Sequence, residues 1–234
     1  LLEILATRAN TDELTGLPNR AAFTDALTRC IERAQGDQAY RFCVLFLDVD
    51  RFKLINDSLG HIVGDELLVH VARKLKKCVR LDDRKDASRG RDMVARMGGD
   101  EFTVLLDDVH DPQVPITVAQ RVCEELAKPF ILSGHAVNTT VSIGVRMCDH
   151  TCNSPDTLLR DCDLAMYRAK AAGKARHAVF DETMHTEAMT RLQLENDLRF
   201  AITQGQLELL RLFNLGKRQR PQLLLDAPAI VRHQ

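Results

Sequence analysis

The sequence predicts an α/β fold, a mixed central β-sheet flanked by helices. Three observations predict it. The run Phe42 to Leu47 is continuously apolar and ends in Asp48 and Asp50, as a strand buried on both faces would. Two later stretches carry hairpin signals, Gly98-Gly99-Asp100-Glu101 and Ser133-Gly134. Between them lie segments whose apolar residues recur at helical spacing.

The elements follow in order. Leu1, Leu2, Ile4 and Leu5 have helical spacing with nothing before them to pack on, so residues 1–11 read as the end of an upstream signalling helix. Asp12 to Arg20 is turn-rich. Ala21 to Ala34 carries a helical stripe that includes Phe23, Leu27 and Ile31. The strand from Phe42 to Asp50 comes next, then a polar loop, then a helix from Asp65 to Val79. Arg80 to Asp92 reads as a charged loop. Met93 to Met97 and Phe102 to Leu106 read as the strands of the first hairpin. Val114 to Ala127 reads as a helix and Phe130 to Val145 as a second hairpin. Ser154 as N-cap, Pro155 at the first helical position and Gly173 past the end bracket a further helix. Ala178 to Phe180 reads as a short strand and Thr183 to Gln204 as a long amphipathic helix. The tail, residues 211–234, has no clear period and reads as disordered or incidental to the fold.

Composition narrows the function. In 234 residues there are 32 Lys and Arg against 33 Asp and Glu, a net charge of -1. Without a basic excess, a nucleic-acid partner is not expected. No run approaches a membrane span, and the opening residues carry Glu3 and no cleavage-type end, so direct membrane contact is not expected either. Seven dispersed cysteines fit a reducing cytosol better than a disulfide framework. Cys148, His150, Cys152 and Cys162 could suggest a metal site, but loop and helix-core cysteines are the better reading.

The chemistry concentrates in carboxylates. Asp48 and Asp50 are two apart on a strand and share a face. Asp100 and Glu101 form a second pair at a hairpin tip, after Gly98 and Gly99, which allow close approach of a ligand to the backbone. Acids delivered from separate strands suit Mg²⁺, which takes oxygen ligands and keeps positions open for substrate phosphates.

Arg96 to Phe102 contains GGDEF, and the chain resembles the diguanylate cyclase (GGDEF) domain family. Asp12 to Arg20 (DELTGLPNR), Leu47 to Leu68 (LDVDRFKLINDSLGHIVGDELL), Val141 to Val145 (VSIGV) and Cys162 to Lys174 (CDLAMYRAKAAGK) resemble the family's other segments, in its order. The resemblance implies a palm-like fold, related to nucleotidyl cyclases and polymerases, over residues 12–181. It implies condensation of two GTP into cyclic di-GMP with release of two pyrophosphates, by a homodimer in the cytoplasm. It implies Mg²⁺ or Mn²⁺ on Asp48, Asp100 and the Val49 carbonyl, with Asp100 accepting the proton of the attacking hydroxyl and Glu101 assisting. Asn56, His61 and Asp65 match substrate positions, the amide and carboxylate complementing guanine. Lys53, Lys170 and Lys174 match positions that hold the triphosphate, with backbone amides near Phe52. The family often has Arg where Lys174 stands, and Lys keeps the charge but loses the fork. Arg89 and Asp92 form the R-x-x-D pattern of the family's inhibitory product site, after a loop, Leu81 to Ser88, longer than usual. Leu194 to Leu210 resembles the lead-in to an EAL phosphodiesterase domain, which makes residues 182–210 a linker helix. The alternative is therefore a non-catalytic domain that binds GTP or cyclic di-GMP and regulates such a phosphodiesterase.

Overall fold

A computed structural model describes residues 10–80 and 92–203. The elements run α1 (Arg20–Gly36), β1 (Phe42–Val49), α2 (Phe52–Leu59), α3 (His61–Arg80), β2 (Met93–Gly98), β3 (Glu101–Leu106), α4 (Gln113–Leu126), β4 (Phe130–Leu132), β5 (His135–Val137), β6 (Val141–Cys148), α5 (Pro155–Ala171), β7 (His177–Val179) and α6 (Thr183–Thr203). Five strands form one sheet in the order β2-β3-β1-β6-β7. β1 pairs antiparallel with β3 and β6, and β7 runs parallel to β6. The sheet is mixed, as expected.

β1 is the centre, and its alternation organises everything else. Cys43, Leu45, Leu47 and Val49 face a core shared with Leu67, Leu68 and Val71 of α3 and Val118 and Val122 of α4. Phe42, Val44 and Phe46 face a core shared with Phe23, Leu27 and Ile31 of α1 and Leu159, Cys162 and Met166 of α5. A strand with helices on both faces must be apolar at every position, which is why its sequence shows no alternation. By the same period Asp48 belongs to the α1 and α5 side. Asn19 caps α1 by accepting from the Ala22 amide, and Ser154 caps α5 by accepting from Thr157.

Two segments differ from the sequence reading. The expected polar loop after β1 is α2, and α3 starts at His61 rather than Asp65. α2 carries Phe52, Ile55 and Leu59 at helical spacing, but it is only 8 residues long and buries Ile55 alone in full, with Phe52 partly buried against the core and Leu54 and Leu59 exposed. The second hairpin is only β4 with β5. Its turn is at Ser133 and Gly134, both left-handed (φ 47° and 82°), the conformation that matches strand twist. β6 leaves that hairpin and joins the central sheet beside β1.

The chain divides into two compact units, Leu1–Met189 and Thr190–Gln234. In the second, Leu192, Leu194, Leu198, Phe200 and Ile202 are exposed along the rest of α6. Among the described residues no helix is long and apolar enough to cross a membrane.

Gly144 on β6 lets α5 approach the sheet. A Cβ there would lie 1.9 Å from the Cys162 carbonyl oxygen and 2.6 Å from the Met166 nitrogen. Both are backbone atoms of α5 and cannot turn aside. Gly144→Ala should destabilise the fold by about 1–3 kcal/mol or more. Urea unfolding measures this, and an unchanged midpoint would show that α5 is free to move outward.

Candidate active site

Asp48 lies at the C-terminal end of β1, and the β2–β3 turn brings Asp100 and Glu101 to it. Asp48 is the register partner of Glu101, and the Val49 amide donates to the Asp100 carbonyl at 3.2 Å. Gly98 and Gly99 make the turn with φ of 131° and 53°, a conformation that a side chain opposes. Arg96 holds it from the side. Its guanidinium donates to the Gly99 carbonyl at 2.8 and 3.0 Å, and to both oxygens of Asp12 at 3.0 and 3.1 Å. Burial alone would raise the Asp12 carboxyl. Hydrogen bonds from Thr15 and Arg96 outweigh it and hold Asp12 below the usual range. The segments DELT and GGDEF are thus joined by one bidentate pair.

Lys170 on α5 completes the rim, with its Nζ 2.8 Å from Asp48 Oδ2. Burial pushes the Asp48 carboxyl up, Asp100 and Asp50 add to this, and Lys170 opposes it. Glu101 is raised by burial and then by the charges of Asp163, Asp48 and Asp100. Asp163, one α5 face below Lys170, was not singled out in the sequence; its i−7 spacing from Lys170 is the signal that places it there.

The carboxylates of Asp48 and Asp100, within electrostatic reach of each other, are oxygen donors of the kind a hard divalent cation takes, and the backbone carbonyl of Val49 is the further oxygen next in the chain. The crowded negative charge is the electrostatic sign of the same fit. Among the described residues no group of three or more His, Cys, Asp or Glu could hold a metal by itself. An ion on this rim would need substrate phosphates to complete its shell.

Asp50 is different. It lies just past β1, 3% exposed, and accepts from the hydroxyls of Thr140 and Ser142 and the Ala175 amide. It turns to the α5 side, as Asp48 does, but its oxygens are engaged within the protein.

α2 and α3 form the remaining wall. α2 has no side-chain cap at its N-terminus, which leaves its first amides, at Phe52 and Lys53, for an anion. Asn56 packs against α3 with a buried Oδ1 that has no hydrogen-bond partner. Gly64 makes this contact: a Cβ there would lie 1.8 Å from Asn56 Oδ1. Gly64 was also missed, although it stands one residue before Asp65. His61 and Asp65 are exposed, one turn apart on α3. Lys53 is exposed, while Lys174 is half-buried in the turn after α5.

Asp92, of the expected inhibitory pair, precedes β2 and accepts from the Asp107 amide at 2.9 Å. Arg89 lies outside the described residues. Cys148, Cys152 and Cys162 are buried in the core beside α5.

The raised carboxyl of Asp48 has a stability consequence. A carboxyl whose folded pKa exceeds its unfolded value costs stability when ionised, fully above the folded pKa and not at all below the unfolded one. Asp48→Asn should therefore melt at or above the wild-type temperature at pH 7 without metal. The difference should shrink as pH falls toward 4. Thermal melts from pH 4 to 8 check this; a lower melting temperature for the variant at pH 7 would mean that the Lys170 pair outweighs burial.

Residues 9–176 match the family model for the diguanylate cyclase GGDEF domain. MucR of Pseudomonas aeruginosa, named as a bifunctional diguanylate cyclase and cyclic di-GMP phosphodiesterase, is 38% identical over 198 residues, 85% of this chain and 27% of its own. NbdA of the same organism, named as a cyclic di-GMP phosphodiesterase, is 36% identical over 209 residues, 88% of this chain and 25% of its own. The chain thus spans about a quarter of the length of either. The solved GGDEF domain of TpbB, also from Pseudomonas aeruginosa, superposes with a TM-score of 0.69 at 35% identity, over 76% of this chain and 99% of that one. With the rim acids, the glycine turn and the uncapped α2 in the places described, the chain belongs to the diguanylate cyclase GGDEF domain family.

Proposed function

We propose that this domain condenses two GTP molecules into cyclic di-GMP and two pyrophosphates. The observation that supports it most is the acid rim: Asp48 and Asp100 delivered from two strands, with Lys170 against them. Asn56 and Asp65 read the guanine edge. The first amides of α2, with Lys53, Lys170 and Lys174, take the triphosphate. Asp100 accepts the proton of the 3′-hydroxyl as that oxygen attacks the α-phosphate of the second GTP, and pyrophosphate leaves; Glu101 assists beside it. A Mg²⁺ or Mn²⁺ ion held by Asp48, Asp100 and the Val49 carbonyl would supply Lewis-acid charge to the phosphates.

One chain offers one half-site, so the reaction needs two chains facing each other, which turns a bimolecular attack into an oriented one. Arg89 and Asp92 form the proposed inhibitory product site. A second reading has a specific support. NbdA, similar over the same span, is named only as a phosphodiesterase. In that reading the domain binds GTP and regulates a neighbour without synthesis.

Incubation with GTP and Mg²⁺ separates the two. Synthesis gives cyclic di-GMP and pyrophosphate in a 1:2 ratio; GTP binding without product favours the regulatory reading. Asp100→Ala should lower turnover by about 100-fold or more, and a variant at wild-type rate would remove Asp100 from the chemistry. Specific activity should rise with protein concentration wherever the dimer is partly dissociated. Constant activity from a demonstrated monomer would contradict the two-chain scheme. Gly64→Ala should push Asn56 aside and raise the KM for GTP by about tenfold, equivalent to about 1.4 kcal/mol of binding. An unchanged KM would show that Asn56 does not read the substrate.

A further inference from the structure

We propose that Asp50 is a positioning residue, whose buried carboxylate fixes the turn that presents Lys174 to the triphosphate. The inference rests on the phosphate-binding reading above and assigns Asp50 a part in it without substrate contact.

The turn after α5 is strained. Gly173, Lys174 and Ala175 have consecutive φ values of 114°, 64° and 52°. Two of the three carry a Cβ, and such residues avoid the left-handed region unless their surroundings hold them there. Hydrogen bonds hold it. The Gly173 amide donates to the Lys170 carbonyl at 3.2 Å and Arg176 Nε to the Lys174 carbonyl at 3.1 Å, and two more fix the amides of the residues that carry a Cβ. The Lys174 amide donates to the Ala169 carbonyl at 3.1 Å, closing the helix end. The Ala175 amide donates to Asp50 Oδ2 at 3.2 Å. The first of these two is local to α5. The second ties the turn to the end of the central strand.

Asp50 is itself fixed. Its Oδ2 also accepts from the Thr140 hydroxyl at 2.6 Å, and its Oδ1 from the Ser142 hydroxyl at 2.8 Å. Its amide donates to the Thr140 carbonyl at 2.9 Å, and its carbonyl accepts from the Thr139 hydroxyl at 2.8 Å. The residue after it, Arg51, is also left-handed (φ 61°) and opens α2. One side chain thus sits between the turn that starts α2, with Lys53, and the turn that ends α5, with Lys174. A carboxylate suits this junction because it only accepts, and all three groups that meet it are donors.

The test compares ligands that differ in their phosphates. Calorimetry with Mg²⁺ measures α,β-methylene-GTP, which does not turn over, and guanosine. Asp50→Ala should weaken the nucleotide by about tenfold or more and leave guanosine within about twofold, with faster hydrogen exchange at the Ala175 amide. Asp50→Asn should rescue both: its oxygen accepts from Ala175 and Thr140, and its NH₂ donates to the Ser142 hydroxyl. Lys174→Ala serves as reference. If Lys174→Ala weakens the nucleotide and Asp50→Ala does not, the anchoring role is overturned while the phosphate reading stands. If neither weakens it, the phosphate reading of Lys174 falls and takes the anchor with it. Equal loss of guanosine and nucleotide in Asp50→Ala would mean a general structural role and overturn the proposal. Should Asp50→Ala fail to fold, Thr140→Val with Ser142→Ala loosens the carboxylate instead and should weaken the nucleotide but not guanosine, unchanged binding overturning the proposal; a tenfold weaker nucleotide in Asp50→Asn, which keeps the hydrogen bonds, would mean that Asp50 acts through its charge and would also overturn it.

Discussion

Like charges held close together at the rim of the sheet are the constraint on which the site depends. Asp48, Asp100, Glu101 and Asp163 lie within electrostatic reach of one another, with Lys170 against Asp48. In water such groups would separate. Here backbone pairing forbids it, because Asp48 and Glu101 are opposed in the β1–β3 ladder and the Val49 amide is bonded to the Asp100 carbonyl. The sheet can sustain this repulsion because the two strands are locked along their whole length by apolar layers on both faces. Burial is the first cause of the raised Asp48 and Glu101 carboxyls, and the neighbouring carboxylates add to it. Added positive charge relieves the repulsion, as the Lys170 ammonium beside Asp48 does.

The same strand decides where the helpers stand. Even-numbered positions of β1 face α1 and α5, so Asp48 meets a lysine from α5 rather than a group from α3. For Lys170 to reach, α5 must lie close on the sheet, and Gly144 on the neighbouring strand permits that approach. For Asn56 to lie between α2 and α3, Gly64 must lack a side chain. For the glycine turn to hold Asp100 in place, Arg96 must bridge it to Asp12. Each is a packing requirement, and each sits one layer behind a residue with a chemical role.

The readable part of the sequence was the part where burial and pattern agree. β1 was legible because a strand covered on both faces has to be apolar throughout. α5 was legible because Ser154 and Pro155 mark its start and Gly173 its end. α2 was not, because its stripe of Phe52, Ile55 and Leu59 lies within only 8 residues, too short a stretch for the period to stand out. The division between β5 and β6 was hidden because both lie on one alternating stretch, and leaving a hairpin for the central sheet is a tertiary choice. The rim acids were named from their spacing and their place at strand ends, and the lysines from the resemblance. Gly64 was passed over because it acts through its neighbour Asn56, which spacing does not reveal; Asp163 shares the Lys170 face by spacing, but its tie to Glu101 crosses from α5 to the sheet.

Asp48 and Asp50 show the limit most clearly. They are two apart, turn to the same side and carry the same side chain, so no rule of sequence spacing separates them. What separates them is the kind of group each meets. Asp48 faces an ammonium, which meets one of its oxygens at 2.8 Å, and other carboxylates, which repel its charge. Asp50 faces two hydroxyls and an amide, donors that occupy its oxygens from inside the fold. A carboxylate satisfied by neutral donors is built into the structure, and one balanced against other charges stays responsive to what binds. The two carboxylates are therefore held in different ways, and the difference is made by Thr140, Ser142 and Ala175, residues 90 or more positions further along the chain.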